Sequence, residues 1–98
     1  MNGFLLRAQK QLLDETSDIL ERRKVQSTFA GRESAFKMAL NVTGPDGVQY
    51  IGLDVNSAKR TVKVIVQTDD GTELKSEVVP YAQLTAAKIS GVWQRAVA

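Results

Sequence analysis

Pairs of apolar residues recur at a fixed seven-residue interval near the N-terminus: Leu5-Leu6, Leu12-Leu13 and Ile19-Leu20. Seven residues are close to two helical turns, so both members of each pair stack into columns along one side of a helix. Asn2 is of a residue type suited to starting it. On a helical projection, Leu5, Ala8, Leu12 and Ile19 form one flank of the stripe, and Leu6, Leu13 and Leu20 form the other. Gln9 and Thr16 fall between the columns, while Arg7, Lys10, Asp14, Asp18 and Glu21 occupy the opposite face. The stripe is wide and has a polar middle. The expected arrangement lays both flanks on the chain's own sheet. The rival arrangement gives one column to a second copy, through Leu5, Leu12 and Ile19 or through Leu6, Leu13 and Leu20, as a short coiled coil.

From Ala35 the apolar period changes to two. Phe36, Met38, Leu40 and Val42 alternate with smaller or polar residues, as in a half-buried strand. Residues 43–47 (TGPDG) supply a turn, and a second strand over 48–55 directs Ile51, Leu53 and Val55 one way, with Tyr50 and Gly52 on the other side. Residues 56–60 read as a loop, and 61–67 as a third strand with Val62, Val64 and Val66 inward. Thr68-Asp69-Asp70-Gly71 carries the Asp-Gly hairpin signal, and a fourth strand over 72–79, with Leu74 and Val78 inward, ends at Pro80. Three short connections predict a four-stranded antiparallel meander. In residues 81–98, Leu84, Lys88, Ile89, Val92 and Trp93 recur at helical spacing. Gly91 opposes a helix by about 1 kcal/mol relative to Ala. A C-terminal helix is expected, with a fifth strand over 88–94 as the alternative.

The predicted fold is therefore α+β, a single domain over residues 1–98. An N-terminal amphipathic helix lies within 1–30, an antiparallel sheet spans 35–79, and a C-terminal helix or strand fills 80–98. Composition supports a globular chain, because 43% hydrophobic and 24% charged residues are ordinary values. No apolar run is long enough for a membrane span, and no secretory signal pattern opens the sequence.

The residue inventory removes much chemistry. The chain has no cysteine and no histidine, so disulfides, the usual structural zinc sites and Cys–His or Ser–His–Asp nucleophiles are excluded. Absence of cysteine fits a reducing, cytoplasmic setting. No glycine falls into a dinucleotide or P-loop pattern, so no cofactor is expected. Acid pairs Asp14/Glu15 and Asp69/Asp70 already have structural explanations, on a polar helix face and in a tight turn. The expectation is that this is not an enzyme.

Thirteen basic against eleven acidic residues leave a charge of +2, spread evenly along the chain. Within it, Arg22, Arg23 and Lys24 suit the negative end of the first helix. Gly31 then suits the chain reversal, and Arg32 extends a segment free of acids. Lys59 and Arg60, near Lys63, form a second basic group. These residues, with the sole tryptophan Trp93, are the candidate partner-binding positions. Trp93 is expected to anchor the terminal segment in the core, and would be a binding hot spot if exposed.

Residues 60–84 (RTVKVIVQTDDGTELKSEVVPYAQL) resemble, in the order of their elements, the distal hairpin and short helical turn of small SH3-like barrels. That resemblance implies a last strand closing a barrel. A helix ahead of five strands is also similar to the Sm-like RNA-binding fold. The glycine, aspartate and asparagine pattern of that family is not reproduced around Gly52-Leu53-Asp54, so RNA binding does not carry over. The functional expectation is a small non-enzymatic protein-binding, accessory or assembly protein, a class that includes proteins of phage and mobile-element type. Its expected partner is another protein or a second copy. The alternative is a nucleic-acid-binding module using the basic residues of 22–32 and 59–63.

Overall fold

A computed structural model describes the backbone of residues 2–34, 37–44 and 47–97, and the side-chain surroundings of residues 10–27, 42–43 and 47–97. The apolar pairs form helix α1 (Asn2–Arg22). Strands β1 (Gln26–Ser34), β2 (Lys37–Gly44), β3 (Gly47–Asn56), β4 (Thr61–Thr68) and β5 (Glu73–Pro80) follow. A 3-10 turn (Tyr81–Gln83) then leads to helix α2 (Ala86–Val97). The strands pair antiparallel in chain order, β1-β2-β3-β4-β5, so the sheet is an open meander whose edges are β1 and β5. Helix α1 packs on β1, β2 and α2, and α2 packs on β4 and β5. One face of the sheet is thus roofed by two helices that touch each other.

The fold class is α+β, as the period change predicts, but the described sheet has five strands rather than four. The added strand, β1, occupies residues expected to belong to the helix and its reversal. Its sequence, QSTFAGRES, shows no apolar alternation, and its pairing with β2 is irregular between Phe29 and Gly31 and between Arg32 and Ser34. An edge strand held by main-chain bonds to β2 leaves little hydrophobic signature. The barrel alternative is also overturned. Residues 88–94 lie in α2, and the sheet does not close.

The reversal after α1 uses Lys24 rather than Gly31. Lys24 has φ of 64°, the left-handed conformation. The Val25 N–H donates to Leu20 O at 3.0 Å and the Lys24 N–H donates to Glu21 O at 2.9 Å. This is the Schellman arrangement, with Leu20 in the buried core cluster and the half-buried Val25 packed against that cluster. A lysine fills a position at which glycine carries no steric cost.

The wide face of α1 finds two neighbours inside the chain, the sheet and α2. Leu13, Thr16 and Leu20 are fully buried, Leu12 is half-buried against the core, and Ile19 is half-buried. Thr16 resolves the polar middle locally, donating its hydroxyl to Leu12 O at 2.6 Å. Leu5, Leu6, Ala8 and Gln9 lie outside the described side chains, as do Phe36, Met38 and Leu40; Ala35, Pro45 and Asp46 lie outside the described backbone.

Ile51, Leu53 and Val55 of β3, and Val62, Val64 and Val66 of β4, are buried toward the helices. Each such side chain contributes about 1.5–3 kcal/mol. In β5 the expected inward residues face away. Leu74 and Val78 are exposed, and Val79 is buried instead. The pairing slips between Val66 and Gln67, where Lys75 and Glu73 are successive partners. The faces of β5 are set by the register that places Val79 opposite Val62, and the charged Lys75 and Glu77 on the inner side hide that alternation in the sequence. Glu77 and Lys75 therefore stand opposite Val64 and Val66, on the helix side.

Helix α2 begins with Thr85 rather than Pro80. Thr85 Oγ1 accepts from the Lys88 N–H at 3.1 Å, an N-cap. Gly91 is tolerated because Ala86, Ile89, Val92 and Trp93 bury a continuous stripe, several times the propensity cost.

Candidate binding surface

Alternation along β3 and β4 places every second residue on the side of the sheet away from the helices. Reading across the strands from the paired positions, three rows emerge. Tyr50 stands beside Gln67 and Glu73, Gly52 beside Ile65 and Ser76, and Asp54 beside Lys63 and Val78. Ile65 is the centre of this grid. Tyr50, Ile65 and Val78 lie along one diagonal, and Asp54 and Glu73 sit at the ends of the other. Lys63 Nζ is 3.8 Å from Glu73 Oε1, a pair across this face. No described element covers these residues. Among the described residues the exposed large hydrophobics are Val48, Leu74 and Val78, all in β3 and β5, and Val78 is 63% exposed.

The β5 edge of the sheet is guarded. On β5, Glu77 points to the helix side, where Arg95 donates to its carboxylate and Lys88 Nζ lies 3.8 Å away. Pro80 ends the strand, and a bulge interrupts it near Leu74. Inward charge, proline and bulges all discourage addition of a further strand. The Arg95 guanidinium holds the Glu77 carboxyl below the ordinary carboxylate range.

The predicted site residues do not converge. Arg22, Arg23 and Lys24 are exposed at the end of α1, next to the start of β1. Gln26 pairs with Thr43, whereas Lys59 and Arg60 sit in the turn beyond the Asn56–Thr61 pair. These are opposite ends of the strands, separated by the length of about eight residues, ~26 Å. Arg32 lies in β1 opposite Met38, and its side chain is outside those described. The two basic groups thus form no continuous stripe. Trp93 is only 4% exposed and packs in the core, which removes it from the accessible surface.

The carboxylate pairs have local partners. Asp14 pairs with Lys10 at 2.9 Å, and Gln11 Nε2 donates to Glu15 Oε1 at 3.2 Å. Asp70 accepts from the Thr68 hydroxyl and, at 3.1 Å, from the Thr72 N–H. Those bonds, the Thr68 one first, hold its carboxyl below the usual range. An open depression beside the β3–β4 turn is lined by Asp54, Val55, Asn56, Ser57 and Ala58, with one titratable group. Among the described residues no group of three acids could hold a metal ion, and no helix is long and apolar enough to cross a membrane. Gln49 Oε1, Tyr81 Oη and Trp93 Nε1 are buried without a hydrogen-bond partner among the described residues.

The outer-face residues are only partly legible in the sequence. Tyr50 and Gly52 follow from alternation, and Ile65 is the outward member of the run Val64-Ile65-Val66. Val78 lies on the outer side because it pairs with Lys63, whereas alternation from Leu74 predicts it inward. Comparison with protein families, curated proteins and solved structures finds no match to this chain.

Proposed function

We propose that this chain is a small non-enzymatic protein-binding module, an accessory or assembly protein, that engages its partner through the outer face of the sheet. The supporting observation is the distribution of apolar exposure. Among the described residues the helix side is filled by the chain's own side chains, whereas on the other side Val78 is exposed and Ile65 and Tyr50 are half-buried with no described element over them. Exposed apolar groups ringed by polar ones are the usual composition of a protein-binding patch. A cytoplasmic setting fits a chain without cysteine.

The test compares cross-linked capture from the native host by the parent chain, by Ile65→Asp and by Asp18→Lys on the exposed side of α1. The reading expects a captured protein that Ile65→Asp loses and Asp18→Lys retains. Equal capture by all three would overturn it. So would a nucleic-acid complex that weakens log-linearly with salt and ignores Ile65.

A further inference from the structure

We infer that the occupant of the outer face is the same face of a second copy, packed about a twofold axis that crosses the strands along the Gly52–Ile65–Ser76 row. The inference rests on the reading of this face as a protein-binding surface and names its partner. Three observations carry it.

The first is area. Five strands at about 4.8 Å spacing and about eight residues at ~3.3 Å give a face near 600 Å². Two copies would bury on the order of 1,200 Å², the lower end of what a specific interface needs.

The second is complementarity under that symmetry. An axis along the middle row sets Ile65 against Ile65 of the second copy and exchanges the rows on either side. Asp54 then lies opposite Tyr50 of the second copy, a carboxylate facing a phenol. Lys63 lies opposite Gln67 of the second copy, an ammonium facing an amide. Val78 meets the stem of Glu73, whose carboxylate keeps Lys63 within its own chain. Among these nine described residues no like charges oppose each other. An axis along β4 would set Lys63 against itself, and an axis along either diagonal would set Asp54 and Glu73 against themselves or each other. The middle row is therefore the axis that the charges select. It leaves the strands of the two sheets aligned, the common geometry of stacked sheets about 10 Å apart. Gly52, with no side chain, lets the two backbones approach beside Ile65.

The third is the guarding of β5 and the irregular pairing of β1. Edge-to-edge pairing, the other route by which a sheet recruits a second copy, is disfavoured at both ends. The face remains.

Sedimentation from about 5 µM to about 500 µM should show a monomer–dimer equilibrium in this range, as a small and partly polar interface implies. Ile65→Asp should raise the dissociation constant by about 100-fold, the effect of a charge at a central anchor. Because the chain has no cysteine, Ile65→Cys and Glu15→Cys each carry one thiol. A short bismaleimide should link Ile65→Cys into dimers and leave Glu15→Cys, on the helix side, monomeric. The cross-link does not depend on how well Ile65→Asp folds. A monomer throughout, a dimer indifferent to Ile65→Asp, or preferential linking at Glu15→Cys would each overturn the second copy as occupant. If such a monomer still captures a host protein through Ile65, the protein-binding reading stands and only the self-pairing falls. If outer-face substitutions alter neither, both fall.

Discussion

The inner side of β3 and β4 presents Ile51, Leu53, Val55, Val62, Val64 and Val66, all buried, whereas the outer side of the same strands carries Tyr50, Gly52, Asp54, Lys63, Ile65 and Gln67, all half-buried. Neighbouring residues in the chain thus serve opposite ends. What separates them is the roof. Helices α1 and α2 supply Leu13, Leu20, Ile89, Val92 and Trp93 to one side only. Since a strand alternates by geometry, covering one face commits the even or odd residues as a set. The outer set is left to be chosen on other grounds, and its mixture of one central aliphatic with both signs of charge suits an interface better than a core.

Paired substitutions on the two faces give the largest test of this division. Leu53→Ala should cost about 2–5 kcal/mol, whereas Ile65→Ala should cost under about 1 kcal/mol when chemical unfolding is measured at low protein concentration. Similar losses at both positions would mean that the outer face is also structural. The roof itself can be loosened through its cap, since Thr85 holds the first turn of α2. Thr85→Ala should remove about 1 kcal/mol, read as a shifted denaturation midpoint with an unchanged slope.

The roof can also be tightened. A Cβ added at Gly91 meets only the guanidinium end of Arg95, at 3.3 Å. Gly91→Ala should therefore raise stability by about 0.5–1 kcal/mol, and a loss in thermal scans would show that Arg95 has no room to move. The smallest effect concerns the contact of α2 with the β5 edge. Arg95 lowers the Glu77 carboxyl pKa. A lowered carboxyl contributes stability above its unfolded pKa, and that contribution is lost as pH falls through the folded value. Glu77→Gln should accordingly flatten the acid limb of a stability–pH profile, with little change near neutrality. A limb as steep as the parent's would mean that other carboxylates govern it.

Much of the fold was legible where side chains alternate or stack with a clean period. Leu13 and Leu20 at a seven-residue spacing, and Val62, Val64 and Val66 at a two-residue spacing, declare both their element and their buried side. Strand β1 was illegible because its place comes from main-chain pairing with β2, and Gln26, Ser27 and Gly31 have no apolar rhythm to show. The inward and outward residues of β5 are exchanged because Val79, not Val78, pairs with Val62, and the inner side also carries Lys75 and Glu77, whose charge reads as a solvent face. The basic residues 22–24 and 59–60 read as two groups that a nucleic-acid-binding module would use together. The order of the strands puts them at opposite ends, a separation that local sequence does not contain.

By itself, the sequence determined helix α1, strands β2 to β5 and the turn chemistry between β4 and β5. The Asp70-Gly71 hairpin, the Leu and Ile columns of α1 and the alternating valines all follow from local geometry and the chain's own side chains. It also determined which chemistry is absent, since residues without histidine or cysteine cannot supply their reactions. Tertiary structure alone decided that Lys24 turns left-handed, that α2 forms despite Gly91, and that one sheet face is roofed and the other bare. These outcomes depend on contacts between distant segments. The free energy of packing Ile89, Val92 and Trp93 against the sheet exceeds the local preferences that oppose it, and no window of neighbouring residues records that balance.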